Sequence, residues 1–264
     1  PVLLAVIVSR LALRDGPNRA AGWLTGLALL TWVAGSAILV LTQSRGGLAG
    51  MAVGTGMVLW LSGGQARRLG TVAVMALAVV VLASPISDRL MNRFGSAALS
   101  MGTETHVTAG NFASLERAAH WRAAIAMAEQ NPVLGVGAGN FNARYREMTT
   151  VWRFRIPRGH AHNAYLQALA QAGVVGFLAY LVLLGAVMCT IWRQLRQAEP
   201  GTDRALVIGA AGVTAAVAVH NLVEYLHVLS LGLQLAVVWA LAATRPAHEA
   251  SQRALVGASR GAGR

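Results

Sequence analysis

Lysine is missing from this 264-residue chain, so the formal net charge of +12 is carried by 22 arginines alone. A GC-rich coding bias is the plain explanation for the missing lysine. A guanidinium-only charge suits short positive loops facing an anionic leaflet, or a phosphate-bearing substrate. The arginines are dispersed between apolar stretches rather than gathered on one polar face, which argues against nucleic acid as a partner. Cysteine is nearly absent too: Cys189 stands alone inside an apolar run, which excludes an intrachain disulfide and leaves redox compartment unread. Charged residues make up only 12% of the chain, against about 25% in ordinary soluble domains. With 55% hydrophobic residues and a mean hydropathy of +0.53, that deficit comes from several long charge-free windows. The composition is that of an integral membrane protein. No Asp-x-Asp is present to bind a divalent ion, there is no P-loop, and the long polar segment has no closely spaced carboxylate pair for glycosidase-type acid and base work.

What is there divides by hydropathy. Pro1 opens the chain within an apolar stretch without an initiator methionine, so the sequence reads as the C-terminal part of a longer chain, and a missing signal peptide carries no weight. Residues 1–87 read as membrane helices, with spans at Ala20–Thr42, Leu48–Leu61 and Thr71–Ile86. Residues 88–162 form a hydrophilic excursion with nine arginines and five acids. Within it Ser114–Gln130 reads as one amphipathic helix, capped by Ser114 and ended by Asn131-Pro132, with Ala119, Ala123, Ala126 and Met127 on its apolar side. Residues 163–244 return to membrane helices. Ala164–Trp192 is uncharged for 29 residues, longer than one straight span, so its first turns stand above the lipid or tilt through it. Ala205–Leu222 and Val228–Thr244 make a closing hairpin, and residues 245–264 form a basic, disordered cytoplasmic tail. The fold class expected is an all-α polytopic membrane protein of about six or seven transmembrane helices, with one large periplasmic loop that itself contains helices.

Orientation follows from arginine in short loops. The loops at 10–19, 63–70 and 193–204 and the tail carry three, two, three and four arginines, and strict alternation puts all four on one side, the cytoplasm. Arg45, the long excursion and the turn at 223–227 then share the opposite face. The nine arginines of the excursion do not conflict, because segments beyond about 60 residues translocate largely regardless of charge.

Two places could carry chemistry. Arg45 sits at the boundary of a span, where a guanidinium snorkels or meets an anion, and Gly46-Gly47 beside it allows close approach. It cannot serve as a base, but it can clamp a phosphate bidentately. His160 and His162 stand where polar chain gives way to apolar chain, and an imidazole with a pKa near about 6.5 exchanges protons at neutral pH. The plain alternatives are a solvated loop histidine, an interfacial anchor at Arg45, a helix cap at Asn163, and a helix-packing face at Gly173 and Gly176 with Ala172 and Ala179. His220, Glu224 and His227 fall at i, i+4, i+7 and could share one helical face as an interfacial polar cluster, or less plausibly a metal site.

His162-Asn163, nine residues, then Gly173-Val-Val-Gly176 resembles the His-Asn-x9-Gly-x-x-Gly pattern of the O-antigen ligase and polymerase superfamily. Asn131-Pro-Val-Leu-Gly-Val-Gly-Ala-Gly-Asn-Phe141, the helix with Arg117 and Trp121, and Ser44-Arg45-Gly46 also look like segments of that family, in its order, over residues 40 to 190. The resemblance implies an inverting glycosyltransferase of the inner (cytoplasmic) membrane, acting on the periplasmic face and needing no cofactor and no metal. Its donor would be a glycan on undecaprenyl-diphosphate, and its acceptor a hydroxyl of lipid A core or of a growing glycan, with membrane lipids as surroundings. On that resemblance His162 would be the general base and Arg45 the diphosphate clamp. Arg117, Arg158, His160 and Asn163 would line the substrate, with Arg144, Arg146, Arg153 and Arg155 as looser candidates. Ligation to lipid A core comes first, O-antigen or exopolysaccharide polymerisation second, and protein O-glycosylation third. A transporter of lipid-linked glycans would also want membrane arginines, but it would place polar groups near the midplane on broken helices. Here they gather at one face.

Overall fold

The computed structural model describes residues 19–42, 44–68, 70–72, 107, 112–149, 152–228 and 230–244, and among them every regular element is a helix. In chain order these are α1 (Arg19–Leu41), α2 (Arg45–Ser62), short helical stretches at 64–68 and 70–72, α3 (Phe112–Gln130), α4 (Phe141–Met148), a 3-10 turn (Trp152–Phe154), α5 (Ala164–Gln197), α6 (Thr202–His220) and α7 (Leu231–Thr244). The segment before Arg19, most of the span expected at Thr71–Ile86, and the tail from 245 lie outside the described residues.

Among the described residues two helices, Ala164–Gln197 and Asp203–His220, are long and apolar enough to cross a membrane. Thr25–Leu41, Gly46–Ser62 and Leu231–Thr244 are apolar but shorter. On α1 the apolar side chains point outward on several sides: Trp23, Leu27, Leu30, Ile38 and Leu41 are all well exposed. A helix with apolar side chains on several sides suits an apolar surrounding such as a bilayer.

The chain forms two compact units. The first comprises residues 1–72, 184–219 and 228–264. Its core joins Val58 of α2, Ile191 and Leu195 of α5, Val207, Ile208, Ala210 and Ala211 of α6, and Ala242 of α7. Trp239 Nε1 donates to Thr214 Oγ1 at 2.9 Å, so the buried Thr214 hydroxyl is satisfied. Ser44 caps α2 by accepting from the Gly47 amide at 3.2 Å, which makes Arg45 the first residue of that helix. The Arg45 side chain lies outside the described residues.

The second unit comprises residues 73–183 and 220–227. It is built on α3, whose small residues Ala123 and Ala124 let α4 and the chain at 161 and 170 pack closely, while Ala119 packs with Leu115 against Phe154. Met127, Phe141 and Tyr145 fill that core and are wholly buried. The helix starts at Phe112, so Ser114 lies inside its first turn and is not the cap expected; it ends at Gln130, where Asn131-Pro132 stops it as expected.

The sequence pattern predicts one uninterrupted helix from Ala164, but Gly173 breaks it, with φ 61 and ψ −164. The loop at 131–137 docks into the break. Val136 and Gly137 amides donate to the Ala170 and Gln171 carbonyls at 2.9 and 3.0 Å, and Val174 and Val175 amides donate to Pro132 and Val133 carbonyls at 2.8 and 3.3 Å. Main-chain groups freed by the break are thus re-paired by a second stretch of chain. A Cβ at Gly173 would collide with the Val133 backbone, and one at Gly135 with the backbone of Ala170–Ala172. Gly173 is therefore a docking point for irregular chain and not the helix-packing face that its spacing with Gly176 suggests. The break also accounts for the surplus length of the uncharged run: beyond it α5 keeps about 24 residues, about 36 Å, enough for one span.

Candidate active site

All the side chains described below belong to the second unit. Asn163 is the N-cap of α5: its Oδ1 accepts from the amides of Tyr165 and Leu166, both at 2.9 Å. Its Nδ2 donates to the Leu222 carbonyl at 2.8 Å, while the Ala164 amide donates to the Asn221 carbonyl at 2.9 Å. The chain at 160–164 is thereby laced to the turn at 221–224. Buried Gln167 adds a further tie by accepting from the Ala161 amide at 2.7 Å.

His162, one residue before the cap, has a left-handed backbone (φ 51). That conformation costs a non-glycine residue about 1–2 kcal/mol, so its surroundings must hold it. Its amide donates to His160 Nδ1 at 3.2 Å, and its carbonyl accepts from Trp121 Nε1 at 3.3 Å. The ring then points at Glu224, with Nδ1 2.8 Å from Oε1.

Burial alone would raise the Glu224 pKa, but the His162 hydrogen bond, the Tyr225 amide (3.1 Å) and the charges of His162 and His160 outweigh it and hold the carboxyl down to about 2. An ionised carboxylate only accepts, so the proton of a neutral His162 sits on Nδ1 and its Nε2 carries the lone pair. That Nε2 is buried and has no hydrogen-bond partner among the described residues. An unmade bond of this kind costs about 1–3 kcal/mol, which an incoming hydroxyl would recover.

His160 lies 3.8 Å from the same carboxylate oxygen, its ring 4.5 Å from that of His162. Its Nδ1 lone pair is taken by the His162 amide, and burial, together with the His162 charge, lowers its pKa despite Glu224. His160 is a neutral acceptor at neutral pH, so the short spacing to Glu224 is not an ion pair there. Arg117 Nη2 reaches Glu224 Oε2 at 3.6 Å, and its Nε is buried without a hydrogen-bond partner among the described residues. Arg158 pairs with Glu116 at 3.0 Å. Arg144 pairs with Glu147 one turn on, and Arg146, Arg153 and Arg155 are exposed.

Beneath His162 lies His120, a fully buried residue of α3 that reading the sequence passed over. Its Nδ1 is 2.8 Å from the Glu116 carbonyl and its Nε2 accepts from the Arg158 amide at 3.3 Å. Those partners fix the tautomer with the proton on Nδ1. Burial lowers its pKa, and its ring meets that of His162 edge-on at 5.2 Å and stacks on Tyr145 at 4.4 Å. No motif in the sequence includes it, so only its placement under the base could have singled it out.

The expected face of His220, Glu224 and His227 does not form. α6 ends at His220, and 221–228 is a set of turns in which helical spacing has no meaning. His227 instead pairs with Tyr180 Oη at 2.9 Å and approaches Asn221 Nδ2 at 3.3 Å, while Glu224 turns to His162. The groups able to hold a metal among the described residues are a different trio, His160, His162 and Glu224.

Taken together, the site couples an oriented imidazole to an ionised carboxylate, with an arginine on the carboxylate's far oxygen. Such a dyad can remove a proton from a weak acid such as an alcohol. A family model described as O-antigen ligase matches residues 29–181, more than half of the chain. No curated protein matches it.

Proposed function

The chain belongs to the O-antigen ligase family, and from that premise we propose that it transfers a glycan from undecaprenyl-diphosphate to an acceptor hydroxyl, with His162 as general base. The observation that carries this is the 2.8 Å bond between His162 and Glu224, which leaves Nε2 as the acceptor. In the reaction the acceptor O–H gives its proton to Nε2, and the oxygen attacks the anomeric carbon from the face opposite the diphosphate. The bond from that carbon to the diphosphate oxygen breaks, and the pair of electrons leaves with undecaprenyl diphosphate. Configuration inverts. Glu224 orients the ring and stabilises the imidazolium as it forms, as a carboxylate does behind a catalytic histidine. Because Nε2 is buried, the acceptor reaches it with local rearrangement and with bulk water excluded.

Diphosphate is already a good leaving group, so neutralising it matters more than protonating it. Arg45 is proposed for that task; it opens α2, whose N-terminal amides favour an anion. Arg117 is the proposed second phosphate contact, with His160, Asn163 and Arg158 lining the substrate. The setting proposed is the inner membrane, with about six or seven spans and the 88–162 segment on the periplasmic side. No metal takes part in this mechanism. Lipid A core is the acceptor proposed. A deletion strain complemented with His162→Ala or Arg45→Ala should accumulate full-length glycan on the carrier and lack it on lipopolysaccharide. Wild-type lipopolysaccharide in both strains would refute the mechanism, and single repeat units in place of long chains would reassign the reaction to polymerisation.

A further inference from the structure

The two imidazoles of the site both turn Nδ1 toward one oxygen of the carboxylate. His160 Nδ1 and His162 Nδ1 both face Glu224 Oε1, at 3.8 and 2.8 Å, and the three possible ligand atoms lie within 4.8 Å of one another. A tetrahedral zinc with bonds of about 2.0–2.1 Å wants its ligands about 3.4 Å apart, so His160 must draw in by about 0.4 Å and His162 must move out by about 0.6 Å. Two histidines and a glutamate are also the ligand set of open, three-coordinate zinc sites, which leave a fourth position for water. The supports are in place: Glu224 Oε1 also accepts from the Tyr225 amide and Oε2 meets Arg117, which fixes the carboxylate. The His160 Nδ1 lone pair is held by a 3.2 Å bond from the His162 amide, which the ion would displace.

We propose that His160, His162 and Glu224 bind a divalent transition-metal ion of the zinc class, and that the bound ion switches the base off. The metal site rests on geometry alone; the switching rests on His162 being the base. A metal on His162 Nδ1 takes the position that the proton holds when Glu224 is its partner. A neutral ring then carries its proton on Nε2, so the atom that should accept from the acceptor hydroxyl becomes a donor. No proton is lost overall: one leaves Nδ1 as the ion enters, and Nε2 takes one up during the same local rearrangement that admits an acceptor. Arg117, a cation 3.6 Å from the carboxylate, weakens the ion's hold, so the site exchanges its metal instead of keeping it as a fixed structural element.

The probe is cobalt(II), titrated into untagged full-length protein in detergent. Wild type should develop the visible d–d bands of four- or five-coordinate cobalt, zinc should abolish them, and His160→Ala and Glu224→Gln should each bind at least about tenfold more weakly. No bands in wild type, or equal binding in both variants, overturns the site. Zinc-edge X-ray absorption of the wild type alone guards against variants that misfold: two imidazoles support the trio, and fewer overturn it. Zinc should also stop glycan transfer and a chelator should restore it; full activity at saturating zinc overturns the switch. The two readings fail separately. Unchanged transfer in His162→Ala removes the base while leaving the cobalt bands of the wild type, whereas missing bands remove the metal and leave the base.

Discussion

His162 is constrained at three of its atoms: its amide by His160, its carbonyl by Trp121 and its Nδ1 by Glu224. Only the last bears on its chemistry. Glu224→Gln keeps the size of the side chain but can present an amide N–H to Nδ1, which favours the wrong tautomer. Transfer should then fall by about 10²–10⁴-fold in kcat with little change in KM, the range ascribed to general-base catalysis. A rate within about threefold of wild type would remove the dyad from the mechanism. His120 gives a prediction on stability. It is held neutral by burial among Glu116, Arg158, Tyr145 and His162, and its pKa is below the ordinary value of 6.5. Between that lowered pKa and 6.5 the unfolded chain binds the extra proton, so its stabilising contribution is complete above 6.5 and lost as pH falls through the folded value. The melting temperature should drop between about pH 7.5 and pH 5, and the drop should be smaller in His120→Gln; parallel profiles would contradict this. Glu224 works at a lower range: with a pKa of about 2 against 4.5, its contribution is present above 4.5 and fades toward 2.

At the scale of elements, the junction of α5 with the 131–137 loop is where sequence reading and structure part. The His-Asn-x9-Gly-x-x-Gly spacing singles out His162, and Asn131-Pro132 ends α3 where expected. The break at Gly173 stays hidden because it lies within a continuous apolar run, and the bonds that compensate it come from about 40 residues earlier. Glu224 is hidden for a similar reason: it is 62 residues from His162 and lies on a turn, so helical periodicity assigns it the wrong neighbours. Gly173→Ala should therefore cost more than about 2 kcal/mol, from left-handed strain and collision with Val133, and should lower folded yield in the membrane. Gly185→Ala, on the same helix with open space around the position, should be neutral or stabilise by up to about 1 kcal/mol. Equal melting temperatures for the two variants would show that the docked break is not needed.

For the whole molecule, composition alone was enough to indicate a helical membrane protein, because scarce charge and long apolar runs follow from the solvent the chain must meet. The number of spans was less legible, since apolar helices shorter than a bilayer and longer than a core helix overlap in length. In a Cys189→Ser background, single cysteines at Arg45→Cys and Arg146→Cys should react with a membrane-impermeant maleimide from the periplasm; labelling only from the cytoplasm would invert the orientation. Transfer should survive EDTA, and a loss reversed by added divalent ion would contradict a mechanism without metal.

The docked break in α5 also acts as a ruler. From the Asn163 cap to Gly173 the chain spans ten residues, about 15 Å at about 1.5 Å per residue, and both ends are fixed by hydrogen bonds to other parts of the same unit. One inserted residue would lengthen that distance by about 1.5 Å and turn everything beyond it by about 100°, so the base and the docking point could not both keep their partners. The nine-residue interval is thus a tolerance on length: loops elsewhere in the polar segment can grow, but this interval cannot.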